Sequence, residues 1–403
     1  MANTIKFGNA QWATQKDSIL AFNDENANFK PLPFTASRAS TATRVNKAGL
    51  LETVASGIPR VDYLENTKGA YLLEPQSTNL LTYSNDFAGS GYNKNSFVAL
   101  ANQGISPEGL NNASLIYQTA NGDRDFYADT PNRIDVFSVY AKSSGKDFFV
   151  IFSKAGTNPA WYNLANGTLG TVPGGTTATI TPAGNGWYRL TYYRNVAGVY
   201  QFFKPIDSNG STVGTASGTD GALIYGAQLE QSSYPTSYIP TNGTAITRLD
   251  DTASQEVPDG IINSSQGVLY AEISALSNEG DTYRTISLND GSGTNTNRIL
   301  IGYSNTDNIY AQINNTVIGI TGANFNVKNL NKLAVVYNGS VAKFFLNGAQ
   351  VGTGITTAPT LIGLDNITSS SGAATSVFEG KVKDMKVYNT SLTDAELVTL
   401  TKV

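Results

Sequence analysis

Residues 225–248 read YGAQLEQSSYPTSYIPTNGTAITR, and this stretch decides how the rest of the chain is organised. It begins as a strand, because its residues alternate so that one face would carry Leu223, Tyr225, Ala227 and Leu229. It then leaves the strand through two prolines, which remove backbone donors and hold their predecessors extended. We therefore predict the closing strand of a middle domain, followed by an extended strap over residues 232–248 that runs back beside residues 37–45.

Composition favours an all-β protein. The 403 residues include 39 Gly, 21 Tyr and 17 Phe, and only 14% are charged. Aromatic residues favour strands and glycine favours the turns between them. The length allows two or three domains, each able to bury a core.

Charge and missing residue types exclude several functions. The chain has no Cys and no His, so disulfides, thiolate metal sites and Ser–His–Asp or Cys–His catalysis are excluded. A net charge of −4 gives no electrostatic footprint for nucleic acid or an anionic membrane. The N-terminus lacks an apolar signal segment and no run approaches transmembrane length, so we expect neither secretion nor membrane insertion.

Residues 83–250 predict a jelly-roll β-sandwich. Turns such as Asn166-Gly167 separate strand candidates at sandwich spacing. These candidates are residues 113–118, 134–142, 148–154, 161–164, 177–181, 187–194, 200–206 and 222–229. The last should pair beside an early strand, as Greek-key topology requires.

Residues 251–403 predict a second β-sandwich with a short C-terminal helix. The strand candidates are residues 267–273, 285–288, 298–303, 308–313, 331–337, 341–346 and 381–388. Thr393 with Glu396 three residues later forms a capping box that should open the helix. Leu397 and Leu400 give that helix an apolar stripe to pack against the sandwich.

The first 82 residues contain no long apolar pattern. Residues 1–33 are polar with scattered apolar side chains, which favours an attachment segment that docks on a partner or on the body of the protein; a flexible terminus is the alternative. Residues 34–82 contain short extended segments and predict a collar packed on the next domain.

Several of these segments together resemble bacteriophage virion fibre and spike proteins, which carry carbohydrate-binding-module-like and concanavalin A-like domains. The resemblance rests on SRASTATRV at 37–45, PRVDY at 59–63, LLEPQSTNL at 72–80, YGAQLE at 225–230 and YPTSYIPT at 234–241. The C-terminal block resembles laminin G-like, concanavalin A-type lectins through KLAVVY at 332–337, VAKFFLNG at 341–348 and FEGKVKDMKVYNTSLTDAEL at 378–397.

The resemblance implies two tandem antiparallel sandwiches behind an N-terminal virion-attachment segment. It implies a homotrimer on the head or tail surface of a virion, assembled in the bacterial host cytoplasm. Virion structural proteins would be its partners through the N-terminal segment, and host cell-surface polysaccharide would be its ligand. A structural decoration or assembly protein without sugar binding is the alternative, and a polysaccharide depolymerase is a third.

Exposed aromatic rings and hydrogen-bonding side chains are the groups that bind sugars. Trp161 follows the Asn158-Pro159 turn at a strand start, where it could be exposed. The other candidates for glycan binding are Tyr162, Tyr117, Arg124, Tyr127 and Tyr192. Packing in the core is the alternative for each, because alternate residues of a sandwich strand point inward, and for Trp161 both interpretations stay open.

Neither catalysis nor a cofactor is predicted. A glycosidase needs two carboxylates held across a sugar bond, and the Glu-x-Asp-x-x-Glu-like pattern of concanavalin A-type glycosidases does not occur. The closest acidic pairs are Asp123 with Asp125 and Asp250 with Asp251. A lyase that uses Tyr with Lys or Arg needs no local motif, so the sequence leaves it open.

The laminin G resemblance allows one bound ion, a structural Ca²⁺. Asp and Asn oxygens in loops are the usual ligands of this ion. The candidate ligands match no fixed spacing, so loops that are solvated and hold no ion are the alternative. The candidates are Asp290, Asn295, Asn305, Asp307 and Asn308.

Overall fold

Antiparallel strands make up nearly all of the regular structure, which confirms the all-β prediction. The computed structural model describes residues 4–7, 14–15, 18–23, 32–65, 67–153, 158–194, 196–258, 261–278, 282–322, 325–373 and 375–403. No helix within these ranges is long and apolar enough to cross a membrane.

The strands are numbered in chain order. The first half comprises β1 (Thr4–Phe7), β2 (Thr14–Gln15), β3 (Ser18–Asn23), β4 (Leu32–Ser37), β5 (Ala42–Val45), β6 (Leu51–Val54), β7 (Val61–Asp62), β8 (Ala70–Leu73), β9 (Ser77–Asn79), β10 (Asn93–Asn95), β11 (Phe97–Ile105), β12 (Asn111–Gln118), β13 (Asp125–Arg133), β14 (Val136–Ser144), β15 (Phe148–Ser153), β16 (Ala160–Asn163) and β17 (Thr168–Leu169). The second half comprises β18 (Thr177–Pro182), β19 (Tyr188–Tyr193), β20 (Gly198–Ile206), β21 (Gly221–Glu230), β22 (Ile246–Arg248), β23 (Thr252–Glu256), β24 (Gln266–Ala275), β25 (Arg284–Asn289), β26 (Arg298–Tyr303), β27 (Ile309–Ile313), β28 (Thr316–Thr321), β29 (Asn331–Asn338), β30 (Val341–Leu346), β31 (Ala349–Ile355), β32 (Asn366–Thr368), β33 (Gly380–Tyr388) and the helix α1 (Asp394–Thr401).

Contacts divide the chain into two units that each draw on separate parts of the sequence. The first unit contains residues 1–39, 54–75 and 250–403, and the second contains residues 40–53 and 76–249. The sequence predicted consecutive blocks that begin at residues 34, 83 and 251. The segment 34–82 is instead divided between the units, because β8 pairs with β33 whereas β9 pairs with β22.

The first unit is a sandwich of two antiparallel layers. One layer follows the pairing order β31-β30-β29-β24-β33, and the other follows β4-β23-β32-β25-β26-β27-β28. Alternate residues of both layers meet in one apolar core that includes Leu269, Ile286, Ile301 and Val335. Outside this core, α1 packs Leu397 against the outward residues of the first layer.

The capping box at the start of α1 is confirmed. The Thr393 hydroxyl accepts a hydrogen bond from the backbone N–H of Glu396, and the Glu396 carboxylate accepts one from the backbone N–H of Thr393 at 2.8 Å. This exchange satisfies donors that a helix N-terminus otherwise leaves unpaired.

The N-terminal segment contributes strands to the first unit. β1 pairs with β33 and with β3, and β3 pairs in turn with β4. The sequence predicted an attachment segment over residues 1–33 that docks on a partner or on the body of the protein. Its described strands extend the sheet of the C-terminal sandwich, where β1 pairs with β33.

A buried ion network joins three distant parts of the first unit. Asp251 accepts hydrogen bonds from the guanidinium groups of Arg38, at 2.9 Å, and of Arg60. Arg60 also donates to Glu74 at 2.6 Å. Each of these side chains is at most 4% exposed. The segments that carry the resemblance to virion proteins at residues 37–45, 59–63 and 72–80 thus supply three of the four members of this network, and Asp251 is the fourth.

The second unit is a jelly-roll sandwich of two six-stranded sheets, as predicted. One sheet, which we name the outer sheet, follows the order β10-β13-β20-β15-β16-β17. The other, which we name the inner sheet, follows the order β11-β12-β21-β14-β19-β18. The closing strand β21 lies between β12 and β14, which is the return expected of Greek-key topology. Aromatic and aliphatic side chains from both sheets, such as Phe126, Phe137, Phe149 and Phe203, fill the space between them.

A β-bulge at Gly226 changes which side of the sheet the residues of β21 face. The sequence predicted that Leu223, Tyr225, Ala227 and Leu229 share one face. Ala227 and Leu229 lie in the core between the sheets, whereas Tyr225 and Leu223 pack on the other side of the sheet. Gly226 has a φ of +61°, and the register shifts opposite it between Ser138 and Tyr140. The prediction of a single face was wrong because the extra residue of a bulge reverses the alternation.

The strap after β21 is confirmed within the second unit. Thr43 donates from its hydroxyl to the carbonyl of Tyr238 at 2.6 Å, so the strap lies beside β5. Asn79 donates to the carbonyls of Ala227 and Ile239 and thereby ties the strap to β21. The buried carboxylate of Glu230 accepts hydrogen bonds from Ser77, Gln228 and Thr236.

Candidate functional site

The outward side of the outer sheet of the second unit carries a cluster of aromatic rings. Side chains alternate between the two sides of each strand, so Phe126, Phe149 and Phe203 point into the core. Four aromatic residues of the same strands point to the opposite side: Tyr127, Phe152, Tyr200 and Phe202. We call these last four residues the aromatic face. Tyr127, Phe152 and Tyr200 are half-buried, so each presents part of its ring to solvent.

Strand register places these rings side by side. Tyr127 and Phe152 lie on β13 and β15, and both pair with Phe202 on the strand between them. The rings of Phe152 and Phe202 stack with centroids 4.7 Å apart and an interplanar angle of 4°. Tyr127 lies 4.8 Å from Phe202 and meets Tyr200 edge to face at 5.3 Å. The result is a contiguous cluster of rings across three strands, with Phe202 buried at its centre.

Polar side chains border the aromatic face. Asp129 accepts a hydrogen bond from the amide of Asn93 at 3.2 Å, beside Tyr127. At the other end, Lys204 lies 5.8 Å from the centre of the Phe152 ring and pairs with Asp123 at 2.9 Å. Burial, followed by the carboxylate of Asp129, raises the pKa of Tyr127. Apolar rings with hydrogen-bonding groups at their border match the faces and edges of sugars.

Trp161 belongs to the packing of the outer sheet. It is only 6% exposed and packs with Val150 and Ile206. Its indole N–H donates to the carbonyl of Ser211 at 2.7 Å, because the segment after β20 folds over this part of the sheet. The alternative of core packing therefore holds for Trp161, whose ring is covered and cannot stack on a ligand in this conformation.

Tyr162 and Tyr192, which the sequence made candidates for glycan binding, are buried. Both lie in the core between the sheets, where inward alternation places them. The Tyr162 hydroxyl donates to the carbonyl of Thr191 at 2.7 Å, and the Tyr192 hydroxyl donates to the carbonyl of Asn158 at 3.0 Å. Burial raises the pKa of each phenol. Their rings thus pack in the core, and their hydroxyls form hydrogen bonds within the fold.

The remaining sequence candidates lie in different places. Tyr127 is part of the aromatic face. Arg124 is half-buried just before β13, and its Nε donates to the carbonyl of Asn121 at 3.2 Å. Its carbonyl accepts a hydrogen bond from Lys204, which places it at the border of the face. Tyr117 is half-buried on β12 of the inner sheet, so it does not join Tyr127.

Sequence reasoning missed Phe152, Tyr200 and Phe202. Their strands were predicted, but their outward position was not recognised. A usable signal exists in the paired aromatics Phe202-Phe203, because two adjacent strand residues cannot both face one core. Strand β13, which positions Tyr127, was also missed. It contains Pro131, which the structure accommodates at a register shift between Asp129 and Arg133.

Two carboxylates near the face, Asp125 and Asp129, lie too far apart to act as a glycosidase pair. Asp125 and Asp129 are four residues apart on β13, which corresponds to about 13 Å. A glycosidase holds its two carboxyl groups roughly 5–9.5 Å apart. Asp123 and Asp125 are both engaged by the buried amine of Lys204, at 2.9 and 3.6 Å.

The candidate Ca²⁺ ligands lie in two loops at opposite ends of β26. Asp290 and Asn295 precede this strand, whereas Asn305, Asp307 and Asn308 follow it, so about 17 Å of strand separates the two sets. Asp290 accepts a hydrogen bond from the Ser292 hydroxyl at 2.6 Å, and Asp307 accepts one from Arg284 at 2.6 Å. Across the described ranges, no three acidic side chains gather closely enough to hold a metal ion. The five candidates therefore do not form one site.

Comparisons with known proteins point to the same class of fold. Residues 249–398 match the family model described as the concanavalin A-like lectin/glucanases superfamily. A search of curated proteins gave no match.

Three solved structures illustrate the similarity. The carbohydrate-binding module CBM40 of the Ruminococcus gnavus IT-sialidase, bound to α2,3-sialyllactose, is 18% identical over 35% of this chain and 84% of its own, with a TM-score of 0.29. Domain 4 of AbnA, an extracellular arabinanase from Geobacillus stearothermophilus in complex with arabinotriose, is 16% identical over 43% and 84%, with a TM-score of 0.31. The Trypanosoma rangeli sialidase is 9% identical over 96% and 61%, with a TM-score of 0.29. The chain is a β-sandwich protein, and its residues 249–398 match the concanavalin A-like superfamily model.

Proposed function

We propose that this protein is a non-catalytic glycan-binding protein of a bacteriophage virion surface, and that its ligand is a polysaccharide of the host cell surface. The observation that carries the sugar-binding part is the aromatic face. Tyr127, Phe152 and Tyr200 offer ring surface to solvent, while Asn93 and Asp129 stand at the border to bind hydroxyl groups.

Size and openness of the face favour a polymer over a small enclosed ligand. The rings extend over three adjacent strands, which are spaced about 4.8 Å apart. A surface of this width can contact successive sugar units of a chain. It leaves both ends of the bound segment free, as binding to an intact surface polysaccharide requires.

The absence of catalysis is part of the proposal. The wide spacing of Asp125 and Asp129, and the pairing of Asp123 with Lys204, favour binding over hydrolysis. Incubation of the full chain with host capsule, followed by assays for reducing ends and for unsaturated sugars, tests this part. No release is expected, and release of either product would revive the depolymerase alternative.

The virion assignment rests on the resemblance of residues 37–45, 59–63, 72–80 and 225–241 to phage fibre and spike proteins. In this proposal a homotrimer, on the head or tail, is anchored through its N-terminal segment to other virion proteins. Mass spectrometry of purified virions should detect the chain, and light scattering should give three times the mass of one chain. A monomer that is absent from virions would contradict this assignment.

The experiment that tests sugar binding is retention of the full chain on host cells and on isolated host polysaccharide. We expect saturable retention that soluble polysaccharide competes away. Retention on virions without any binding to cells or polysaccharide would favour the structural decoration protein instead.

A further inference from the structure

The first unit contains a buried arginine without a carboxylate partner. Arg298, the first residue of β26, is only 6% exposed. Within the described ranges its guanidinium forms no ion pair and makes one hydrogen bond, from Nη1 to the carbonyl of Ser371 at 2.8 Å. Buried charges are normally paired, because an uncompensated one loses its hydration without a return. Arg298 departs from this rule.

The acidic residues closest to Arg298 in the sequence are engaged by other groups. Asp307 pairs with Arg284, a buried arginine on the neighbouring strand, at 2.6 Å. Asp290 accepts a hydrogen bond from the amide of Asn297 at 3.0 Å. Burial therefore lowers the pKa of Arg298, since no carboxylate offsets the cost of burying its charge. An anion that arrived from solvent would supply the missing counter-charge.

Part of the Arg298 guanidinium can be reached from solvent. Its Nε is sealed in the protein without a partner. Its Nη2 also makes no hydrogen bond to the described residues, but it keeps accessible surface. The hydroxyl of Tyr310 and the side-chain amide of Gln312 are likewise unbonded in the described part of the chain and accessible. These three groups can therefore bind a ligand without breaking an existing hydrogen bond.

Strand alternation places the three groups on one side of the sheet. Their neighbours along β26 and β27 belong to the core of the first unit: Ile299, Ile309, Ala311 and Ile313. Arg298, Tyr310 and Gln312 therefore face the opposite side. Gln312 lies opposite Leu300 and Tyr310 lies opposite Gly302, so the groups occupy adjacent strands within four residues of one another.

The surroundings hold these side chains in place. Ser371, which accepts from Arg298, donates its own backbone N–H to the carbonyl of Thr375 at 2.9 Å, and the two hydroxyls share a hydrogen bond of 2.8 Å. The ring of Tyr310 meets that of Tyr283 edge to face, with centroids 5.4 Å apart. Groups that are ordered before a ligand arrives reduce the entropy cost of binding.

The chemistry of these groups indicates the class of ligand. The Nη2 of Arg298 carries two N–H donors and a positive charge, which together favour a carboxylate. Phenol and amide groups bind hydroxyl groups. Tyr283 is 43% exposed, so its ring offers an apolar surface beside them. A carboxylate, hydroxyl groups and an apolar face occur together in acidic sugars.

We propose that Arg298, Tyr310 and Gln312 form a second carbohydrate site, the Arg298 site, which binds a carboxylate-bearing unit of an acidic glycan. Arg298 Nη2 donates to the carboxylate, and Tyr310 and Gln312 bind neighbouring hydroxyl groups. The Arg298 site belongs to the first unit and shares no residue with the aromatic face, so either site can fail without the other.

The test is an array that carries uronate and sialate oligosaccharides beside their carboxyl-reduced forms, probed with the full chain. The parent should bind at least one acidic form about tenfold more tightly than its reduced form, as a charge-assisted hydrogen bond implies. Arg298→Gln removes the charge and should abolish this preference. Lys328→Gln removes one positive charge at an exposed position of the same unit and should bind as the parent does.

Two further variants separate the Arg298 site from other effects. Tyr310→Phe keeps the buried ring and removes only the hydroxyl, so it should fold normally and bind the acidic form about three- to fivefold more weakly. Tyr127→Ala alters the aromatic face and should leave the preference for the acidic form unchanged. The acidic oligosaccharide should also raise the melting temperature of the parent chain but not that of Arg298→Gln.

Several outcomes would overturn the proposal. Equal binding of acidic and reduced glycans by the parent chain would do so without any variant, even if Arg298→Gln failed to fold. A preference that survives Arg298→Gln, or parent-like binding by Tyr310→Phe, would also contradict it. An equal loss in Lys328→Gln would show a general effect of charge. Binding of neutral glycans that is lost only with Tyr127→Ala concerns the aromatic face alone.

Discussion

Arg38 and Asp251 form a buried ion pair, with Nη1 and Oδ1 2.9 Å apart, although 213 residues separate them in the chain. Arg60 donates to the second oxygen of the same carboxylate. Asp251 therefore contacts two buried cations, and Glu74 pairs with one of them. Each partner is costly to bury alone, so the network stabilises the first unit only when it is complete.

Asp251→Asn should destabilise the first unit strongly. It removes the negative charge that both Arg38 and Arg60 contact, and breaking a buried pair costs on the order of 3–5 kcal/mol. Urea unfolding of the full chain measures the change. Asp250→Asn is the matched control, since this neighbour is exposed and should have little effect. Equal stability of the two variants would contradict a structural role for the network.

Glu230 should make the stability of the second unit fall as pH rises. Burial raises the pKa of this carboxyl above its usual value of 4.5, so the folded state binds its proton more tightly than the unfolded state. The stabilisation is full below pH 4.5 and is lost as pH rises from there through the folded pKa. Urea unfolding at several pH values should show this dependence in the parent chain.

Glu230→Gln removes that pH dependence, because glutamine does not titrate. Glu52→Gln, at a partly exposed position in the same unit, should leave the dependence unchanged. A stability difference between parent and Glu230→Gln that is constant from pH 4 to pH 7 would contradict this account.

Trp161→Ala should act mainly on stability. The side chain is buried beneath the segment that contains Ser211, and truncation of a buried Trp costs about 3–5 kcal/mol. Trp161→Phe keeps most of the packing and removes only the N–H donor, so we expect a loss of about 0.5–1.5 kcal/mol. It should also give faster hydrogen exchange near Ser211. Unchanged stability combined with lost glycan binding in Trp161→Ala would instead restore Trp161 as a contact residue.

Sequence patterns predicted the strands of both sandwiches because alternation and turn residues are local signals. Residues 298–303 and 341–346 were placed with the observed bounds, and the capping box at Thr393 was recognised. The prediction that residues 223–229 share one face failed at the bulge of Gly226. A single extra residue moves every later side chain to the opposite face. The division of the chain into units was also beyond local signals, since it depends on pairings such as that of β8 with β33.

The candidate site was predicted in part. The sequence identified Tyr127. Trp161, Tyr162 and Tyr192 were chosen by residue type alone. Residue type does not predict their burial, because burial depends on which side of a strand faces the partner sheet. The segment that covers Trp161 is polar and glycine-rich, so nothing local indicates that it folds over the sheet. The segments that carry the resemblance serve the fold: Arg38, Arg60 and Glu74 meet in the ion network of the first unit.

The central claim is that the aromatic face binds glycan, and the direct test is the affinity of the full chain for host polysaccharide after loss of single rings. Tyr127→Ala and Phe152→Ala should each weaken binding about tenfold or more, as loss of a main contact residue does. Tyr117→Ala, a partly exposed ring on the inner sheet, should bind as the parent chain does. Parent-like affinity in both Tyr127→Ala and Phe152→Ala, with their folding intact, would contradict the claim.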